Sequence, residues 1–318
     1  MADSTDPPAD RPDICVIANP GSGAARRNPG ALDAAMRVFR PRAVLRHFRG
    51  DPALVARQAV AEGYRIIVAA GGDGTVAGVA HEVQGSRSAL AVLPLGTFNY
   101  FARGIAMPEE ATAAAEAILA GQPHAISVGT LNGRVFLNNV SIGLYPTILE
   151  EREAVYARFG RYRILAHLAS LRTILRFQRP YRMDLALDGQ RQRTRTPMVF
   201  IARSAYQLDQ FGLEGAQAIS ADRFALFVAR SQTRAGFLKL AWRLVRRRVD
   251  HARDVVHSTP ARVEIAIPRR RRVSVALDGE KLRMALPLQI DLAEGPLTVL
   301  MPRAAPPAVP AAAEDRVA

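Results

Sequence analysis

The sequence predicts an N-terminal α/β domain built on a parallel sheet, followed by an antiparallel β-sandwich domain, and two observations carry that prediction. From Asp13 to about Gln122, short apolar runs alternate with Ala-rich helical stretches, the texture of βαβ units whose sheet is covered on both faces. After about Ala125 the chain becomes a series of short strand-like runs divided by Gly, Asp and Pro, interrupted by two basic helical stretches, which argues for a sandwich. At 318 residues there is length for two domains of roughly 150 residues each. The expected boundaries are 13–125 for the α/β unit and 126–302 for the β-rich unit. The acidic, Pro-rich residues 1–12 and the Ala- and Pro-rich residues 303–318 are expected to be disordered tails.

Taken in order, the first unit reads as strand ICVIA (14–18), helix ALDAAMRVF (31–39), strand AVLRHF (43–48), helix ALVARQAVAEG (53–63), strand RIIVAA (65–70), helix TVAGVAHEV (75–83) and strand ALAVLP (89–94). The second reads as strand-like runs in ISVGTLNG, RVFLNNVSIG, MDLALDG, TPMVFIAR, RFALFVAR, RVEIAIP, RVSVALDGE, LPLQIDL and LTVLMP. Its basic helical stretches fall at about 150–179 and 234–253.

The formal net charge is +14, and because only Lys239 and Lys281 are lysines, arginine carries it. Such an excess implies an anionic partner, whether nucleic acid, a phosphorylated small molecule or an acidic membrane face. The single cysteine, Cys15, excludes an internal disulfide and a multi-cysteine zinc site, and suits a reducing compartment. The N-terminal residues lack a basic then apolar leader pattern, and arginines break every apolar run short of the roughly 20 residues that a spanning helix needs. The protein is therefore expected in the cytoplasm, meeting a membrane, if at all, from one side.

The strongest local signal is Arg65-Ile-Ile-Val-Ala-Ala-Gly-Gly-Asp-Gly-Thr75, a buried strand that runs into three glycines around one carboxylate and then a helix. Glycines let backbone N–H groups approach an anion closely, the helix N-terminus favours phosphate, and one carboxylate can hold Mg²⁺ against phosphate oxygens. The bland alternative is a tight turn in which Asp73 only caps. The first strand ends similarly in Asn19-Pro-Gly-Ser-Gly23, and another ends in Leu95-Gly-Thr-Phe-Asn-Tyr100. In an open parallel sheet these turns converge beyond the carboxyl ends of the strands. Neither G-x-G-x-x-G nor a Walker A sequence is present.

N-P-x-S-G, GGDGT, P-L-G-T-x-N-x-F-A-R and a late L-D-G-E, in that order, resemble the diacylglycerol kinase catalytic-domain family, above all its soluble bacterial lipid kinases, which also resemble sphingosine kinases. The resemblance covers about Asp13 to Pro302 and implies a first domain like that of NAD kinases and phosphofructokinases. It implies that Asn19, Pro20, Gly21, Ser22, Gly23, Gly71, Gly72, Asp73, Gly74, Thr75, Gly96, Thr97 and Asn99 surround the phosphates of ATP. Asp73 would bind Mg²⁺ or position the γ-phosphate, and Glu280 would be the general base toward a lipid hydroxyl. A structural Mg²⁺ in the second domain, held by one Asp and neighbouring carbonyls, maps to Ile219-Ser-Ala-Asp-Arg-Phe224 with Asp222 as the carboxylate. The implied partners are the lipid substrate and an anionic membrane face, with room for a homodimer and no nucleic acid.

Three residues depart from the family pattern: Ala24 where a basic residue is frequent, Arg46 where a Thr is common, and Tyr100 where G-T-x-N-D has its Asp. These departures keep open a lipid- or nucleotide-binding protein without turnover; a soluble-metabolite kinase is the other rival. Asp-Gly is also a hairpin signal in its own right, and Leu187-Asp-Gly-Gln190 repeats it with no acid behind it. Spacing alone does not nominate Glu280. The stretch Arg152 to Arg179, and Phe237 to Arg248 with Trp242, suit either docking on anionic lipid or packing on their own domain with solvated arginines. Arg269 to Arg272 read as a solvated connection, the six histidines lack metal-ligand spacing, and Cys15 reads as an inert core residue.

Overall fold

The computed structural model describes residues 12–19, 30–144, 146, 180–231, 233–250 and 252–303. The first unit runs β1 (Ile14–Ala18), α1 (Ala31–Phe39), β2 (Ala43–His47), α2 (Pro52–Ala61), β3 (Ile66–Gly71), α3 (Asp73–Val83), β4 (Ala89–Pro94), α4 (Tyr100–Gly104), α5 (Ala111–Leu119) and β5 (Gln122–Ile126). Strands β1, β3 and β4 are buried along their whole length. Helices on both faces leave them no solvent side, so each is a continuous apolar run rather than an alternating one. Local chemistry starts the helices. The Asp51 carboxylate accepts from the Ala53 amide at 3.0 Å, with Pro52 in the first turn of α2, and the Glu110 carboxylate accepts from Thr112 and Ala113 at 2.9 and 2.7 Å to open α5.

The sheet order is β2-β1-β3-β4-β18-β5, where β18 (Leu297–Met301) is the last described strand. This corrects one expectation: LTVLMP is not part of the sandwich. It lies parallel to β4 and antiparallel to β5, with Leu297 and Val299 fully buried in the first core. Strands from early and late in the described chain thus build the first sheet, and strands β6 to β17 fall between them in sequence.

Those intervening strands form a sandwich of antiparallel sheets. One has the order β10-β9-β14-β17-β6-β7, made of β6 (Gly129–Leu131), β7 (Arg134–Phe136), β9 (Tyr181–Leu187), β10 (Gln190–Thr196), β14 (Val263–Ala266) and β17 (Leu288–Leu292). The other is β13-β12-β11-β8-β15-β16, from β8 (Asn139–Gly143), β11 (Met198–Ala202), β12 (Ala225–Ala229), β13 (Val255–Ser258), β15 (Arg272–Leu277) and β16 (Glu280–Ala285). Phe136, Leu185, Ile265 and Ile290 of the first interdigitate with Ile142, Ile201, Leu226 and Val275 of the second. On the outer face of the second sheet, α6 (Ala205–Phe211) and α8 (Arg234–Val245) bury Leu208, Phe237 and Leu240 against Ala225 and Phe227. The short helix α7 (Ala216–Ser220) leads into β12.

Helix α8 therefore spends its apolar stripe on its own domain. What it leaves outside is Trp242, 58 % exposed, with the Arg246 guanidinium 4.3 Å from the ring centre, and the exposed Lys239, Arg247 and Arg248. The other basic stretch, 150–179, lies outside the described residues. Among the described residues, no helix is long and apolar enough to cross a membrane.

Candidate functional site

The GGDGT turn joins β3 to α3, and its glycines are required by close approach. A Cβ on Gly71 would stand 2.5 Å from Thr75 Oγ1, and one on Gly96 would stand 2.4 Å from the Gly72 Cα. The turns after β3 and β4 thus touch backbone to backbone at Gly72 and Gly96, which brings two of the three predicted phosphate turns together at one end of the sheet. Of the third, Asn19 follows directly on β1; Pro20, Gly21, Ser22 and Gly23 lie outside the described residues, as does Ala24.

Asp73 stands in the first turn of α3, yet its carboxylate serves another helix. Oδ1 accepts from the Phe101 amide at 3.2 Å, and the amides of Asn99 and Tyr100 also face the carboxylate at the start of α4. Burial raises the Asp73 pKa above the usual carboxylate range, and these amides oppose the rise. Asn99 is turned onto its own loop: it adopts a left-handed conformation at φ 50°, its Oδ1 accepts from the Gly96 amide at 3.0 Å, and it is buried. It shapes the turn. Thr97 stays exposed, and Tyr100, in place of the family's Asp, stacks on Phe98 with ring centres 5.6 Å apart.

Glu280 enters from the second unit. Asp278 and Gly279 both have positive φ, 46° and 87°, so β15 and β16 meet in a two-residue hairpin with Leu277 opposite Glu280. That hairpin tip lies against α3: a Cβ on Gly74 would stand 2.5 Å from Glu280 Oε1. Residues from opposite ends of the chain are therefore in contact. A second tip, Asn132-Gly133 with φ 48° and 81°, does the same for Arg134, whose Nη2 lies 3.8 Å from Glu280 Oε2. Sequence reasoning missed Arg134, although Asn-Gly between two apolar runs was a usable signal, since it makes Arg134 the first residue of the returning strand just as Asp-Gly does for Glu280. The two tips and helices α2 and α3 enclose a cleft of about 380 Å³ lined by Asp51, Leu54, His81, Arg134, Asp278 and Glu280 among others.

Asp278 holds this arrangement. Its Oδ2 accepts from the Leu137 amide at 2.7 Å, and its Oδ1 accepts from Asn138 and Asn139 at 2.7 and 2.9 Å. Burial pushes its pKa up to about 6 against the pull of those three donors, and the nearby charge of Asp73 adds to the rise. In the other Asp-Gly hairpin, Asp188 accepts from Ala261 and Arg262 and pairs with Arg223, far from any acid on the returning strand, where Gln190 stands. Both aspartates fasten a neighbouring loop, but only one hairpin carries a carboxylate to α3.

Other expectations change. The metal role assigned to Asp222 does not fit: its Oδ1 is 2.6 Å from Nη2 of the buried Arg203, and that guanidinium also takes the nearby carbonyls. Among the described residues, no three His, Cys, Asp or Glu side chains are grouped to hold a metal ion. Arg46 is held on β2 by a two-pronged pair with Glu62 at 2.9 and 2.6 Å and lies over the Tyr64 ring, which gives this departure a structural role. His81 Nδ1 accepts from the Val135 amide, tying α3 to β7. Cys15 is fully buried, and burial pushes its thiol up to about 11, which suits an inert core residue.

Comparisons with known proteins bear on this geometry. Residues 13–131 match the family model for the diacylglycerol kinase catalytic domain. A diacylglycerol kinase of Staphylococcus aureus (strain bovine RF122 / ET3-1) is 32% identical over 129 residues, 39% of this chain and 41% of the relative, so the match spans about two fifths of that protein. The diacylglycerol kinase of Bacillus subtilis (strain 168) is 25% identical over 73% of this chain and 76% of its own. A probable lipid kinase YegS-like of Pseudomonas aeruginosa is 44% identical over 96 residues, 30% of this chain and 32% of its own. Two solved structures from Bacillus anthracis str. Sterne share the fold. One has a TM-score of 0.68 at 22% identity over 91% of this chain and 97% of its own. The other, a diacylglycerol kinase, has 0.61 at 18% over 92% and 98%. The stretch that matches this family model, residues 13–131, is the one that carries the GGDGT turn and the glycine contact beside it.

Proposed function

We propose that the protein is an ATP-dependent lipid kinase that moves the γ-phosphate of Mg-ATP to a lipid hydroxyl. The observation that carries this reading is the contact between Glu280 Oε1 and Gly74, which sets a half-exposed carboxylate from the sandwich beside the phosphate turn of the α/β unit. A phosphate over Gly72 to Thr75 would meet the N-terminus of α3, an eleven-residue helix, and the nucleoside would extend into the 380 Å³ cleft along Gly74, Ala77 and Gly78.

Glu280 then lies where it can take a proton from an attacking hydroxyl, and Arg134 is near enough to steady both that carboxylate and the transferred phosphoryl charge. Mg²⁺, which takes most of its oxygen ligands from nucleotide phosphates and water, would need only one or two protein carboxylates, and Asp73 is the one in the phosphate turn itself. Much of such a transfer is positioning and charge neutralisation, which glycine-lined backbone and a helix N-terminus supply. The acceptor is expected to come from an anionic bilayer, reached peripherally through Trp242, Arg246 and their neighbours on α8 and the exposed Arg191, Arg193 and Arg195 of β10.

The test offers labelled ATP and a mixed lipid extract to the full chain and identifies the phosphorylated product by mass. Glu280→Gln keeps size and hairpin but cannot accept the proton, so turnover should fall by roughly 10²- to 10⁴-fold with ATP affinity unchanged. Gln190→Glu, at the matching position of the other hairpin, should stay within a few-fold of wild type. A labelled soluble product and no labelled lipid would overturn the reading.

A further inference from the structure

The guanidinium of Arg203 is buried where β11 leaves the sandwich, and each of its five N–H groups has an oxygen to meet. Nε and Nη2 donate to the Ser127 carbonyl at 3.2 and 3.0 Å. Nη1 donates to the carbonyls of Ile219 and Arg223 at 2.8 and 3.4 Å, and Nη2 donates to Asp222 Oδ1 at 2.6 Å. The Arg203 side chain is only 5% exposed. Three carbonyls and the oxygen of a carboxylate that is itself 59% exposed converge on this guanidinium, the hard-oxygen set that a divalent cation takes, and here a side-chain cation of the chain itself fills it.

The segments gathered at this point are those that set the two units against each other. Ser127 lies between β5 of the first sheet and β6 of the sandwich. Ser204, next to Arg203, caps α6 by accepting from the Gln207 amide, and Tyr206 of α6 bonds the side chain of Arg103 on α4. The backbone amide of Arg203 donates at 2.8 Å to the carbonyl of Asn138, whose own amide is held by Asp278 at the site. A shift of Arg203 would thus reach both α4, where Asp73 is anchored, and the loop behind the Glu280 hairpin.

We propose that Arg203 replaces the structural metal ion that the family pattern places beside Asp222, so that the junction between the units is held by a guanidinium and the fold needs no divalent ion there. The carbonyls would otherwise face one another with a carboxylate and no cation, and their mutual repulsion would open the junction. The same donor set, emptied of the guanidinium, should accept a divalent ion. This inference concerns stability and stands independently of the proposed activity.

Thermal melting of the full chain without nucleotide decides it. The wild-type melting temperature should not move by more than about 1 °C on adding EDTA or millimolar Ca²⁺ or Mg²⁺. Arg203→Ser should melt several degrees lower, because three carbonyls lose their donor and the half-exposed Asp222 carboxylate loses its counter-charge. It should recover part of that loss as Ca²⁺ is added, because an ion bound only by the folded state raises stability by mass action. Arg203→Ser combined with Asp222→Asn should melt low and ignore Ca²⁺, which separates this site from any other that binds the ion. Arg203→Lys, which keeps a charge but only three donors, should fall between wild type and Arg203→Ser. A wild-type melt that drops under EDTA would show that a metal is held alongside the guanidinium and would overturn the proposal. So would an Arg203→Ser melt equal to wild type, or a lowered one that Ca²⁺ leaves unchanged; if Arg203→Ser yields no folded protein, the EDTA arm and Arg203→Lys decide alone.

Discussion

Gly74→Ala should separate folding from chemistry in a single methyl group. The added Cβ would stand 2.5 Å from Glu280 Oε1 but 3.4 Å from its Cδ and 3.8 Å from its Cγ, so only the terminal oxygen is in conflict. Ordinary contact begins near 3.4 Å, so that oxygen must retreat by about 1 Å, and a half-exposed glutamate can do so cheaply. The backbone at Gly74 is helical, and replacing Gly by Ala in a helix is favourable by up to about 1 kcal/mol, less in the first turn. The melting temperature should therefore hold or rise by a few degrees. Displacing a proton acceptor by about 1 Å costs on the order of 10²-fold in rate. Transfer of labelled phosphate from ATP to lipid, measured beside a melting curve and an ATP titration, gives all the required quantities. Turnover within a few-fold of wild type, with a normal melt, would refute the claim that the position of the Glu280 carboxylate against Gly74 matters.

Asp73→Asn should keep the bond from the Phe101 amide through its remaining carbonyl oxygen, and so keep the melt, while abolishing transfer; near-normal turnover would show that Asp73 only anchors α4. Folding raises the proton affinity of Asp278 from the ordinary 3.8 to about 6, so between those values the folded chain holds more protons than the unfolded one and stability falls as pH rises through that window, then levels above it. Denaturant melts should show that slope, the Asp278 share of it no more than about 3 kcal/mol in total, and it should shrink in Asp278→Asn, which tolerates the positive φ, leaving the smaller contribution of the raised Asp73; an equal slope in both proteins would assign it to other groups. Vesicles containing anionic lipid should sediment the protein at low salt and release it as salt rises, with Trp242→Ala weakening the binding several-fold, and binding indifferent to both lipid charge and salt would sink electrostatic docking.

What the sequence determined by itself is what local chemistry decides. Continuous apolar runs such as Ile14 to Ala18 and Ile66 to Gly71 announce doubly covered strands, and Asp51-Pro52 starts its helix in place. Asp188-Gly189 and Asp278-Gly279 each dictate a tight hairpin, because the left-handed backbone they need suits few other residue pairs. Ordered motifs pointed further, to Gly72 and Gly96 at one end of a sheet and to Glu280 as a partner in the same site. Tertiary structure alone decided which of the two Asp-Gly hairpins reaches α3, since the hairpins are locally alike and differ in where their sheets place them. It decided that the Asp73 carboxylate anchors α4 instead of standing free, that Arg134 faces Glu280, and that β18 returns to the first sheet. It also gave Asp222 to Arg203, a residue 19 positions away with no motif to mark it. Each of these is a pairing across long stretches of chain, set by strand order and by the need to satisfy buried charge and backbone polar groups, and a linear pattern of residue types does not contain that accounting.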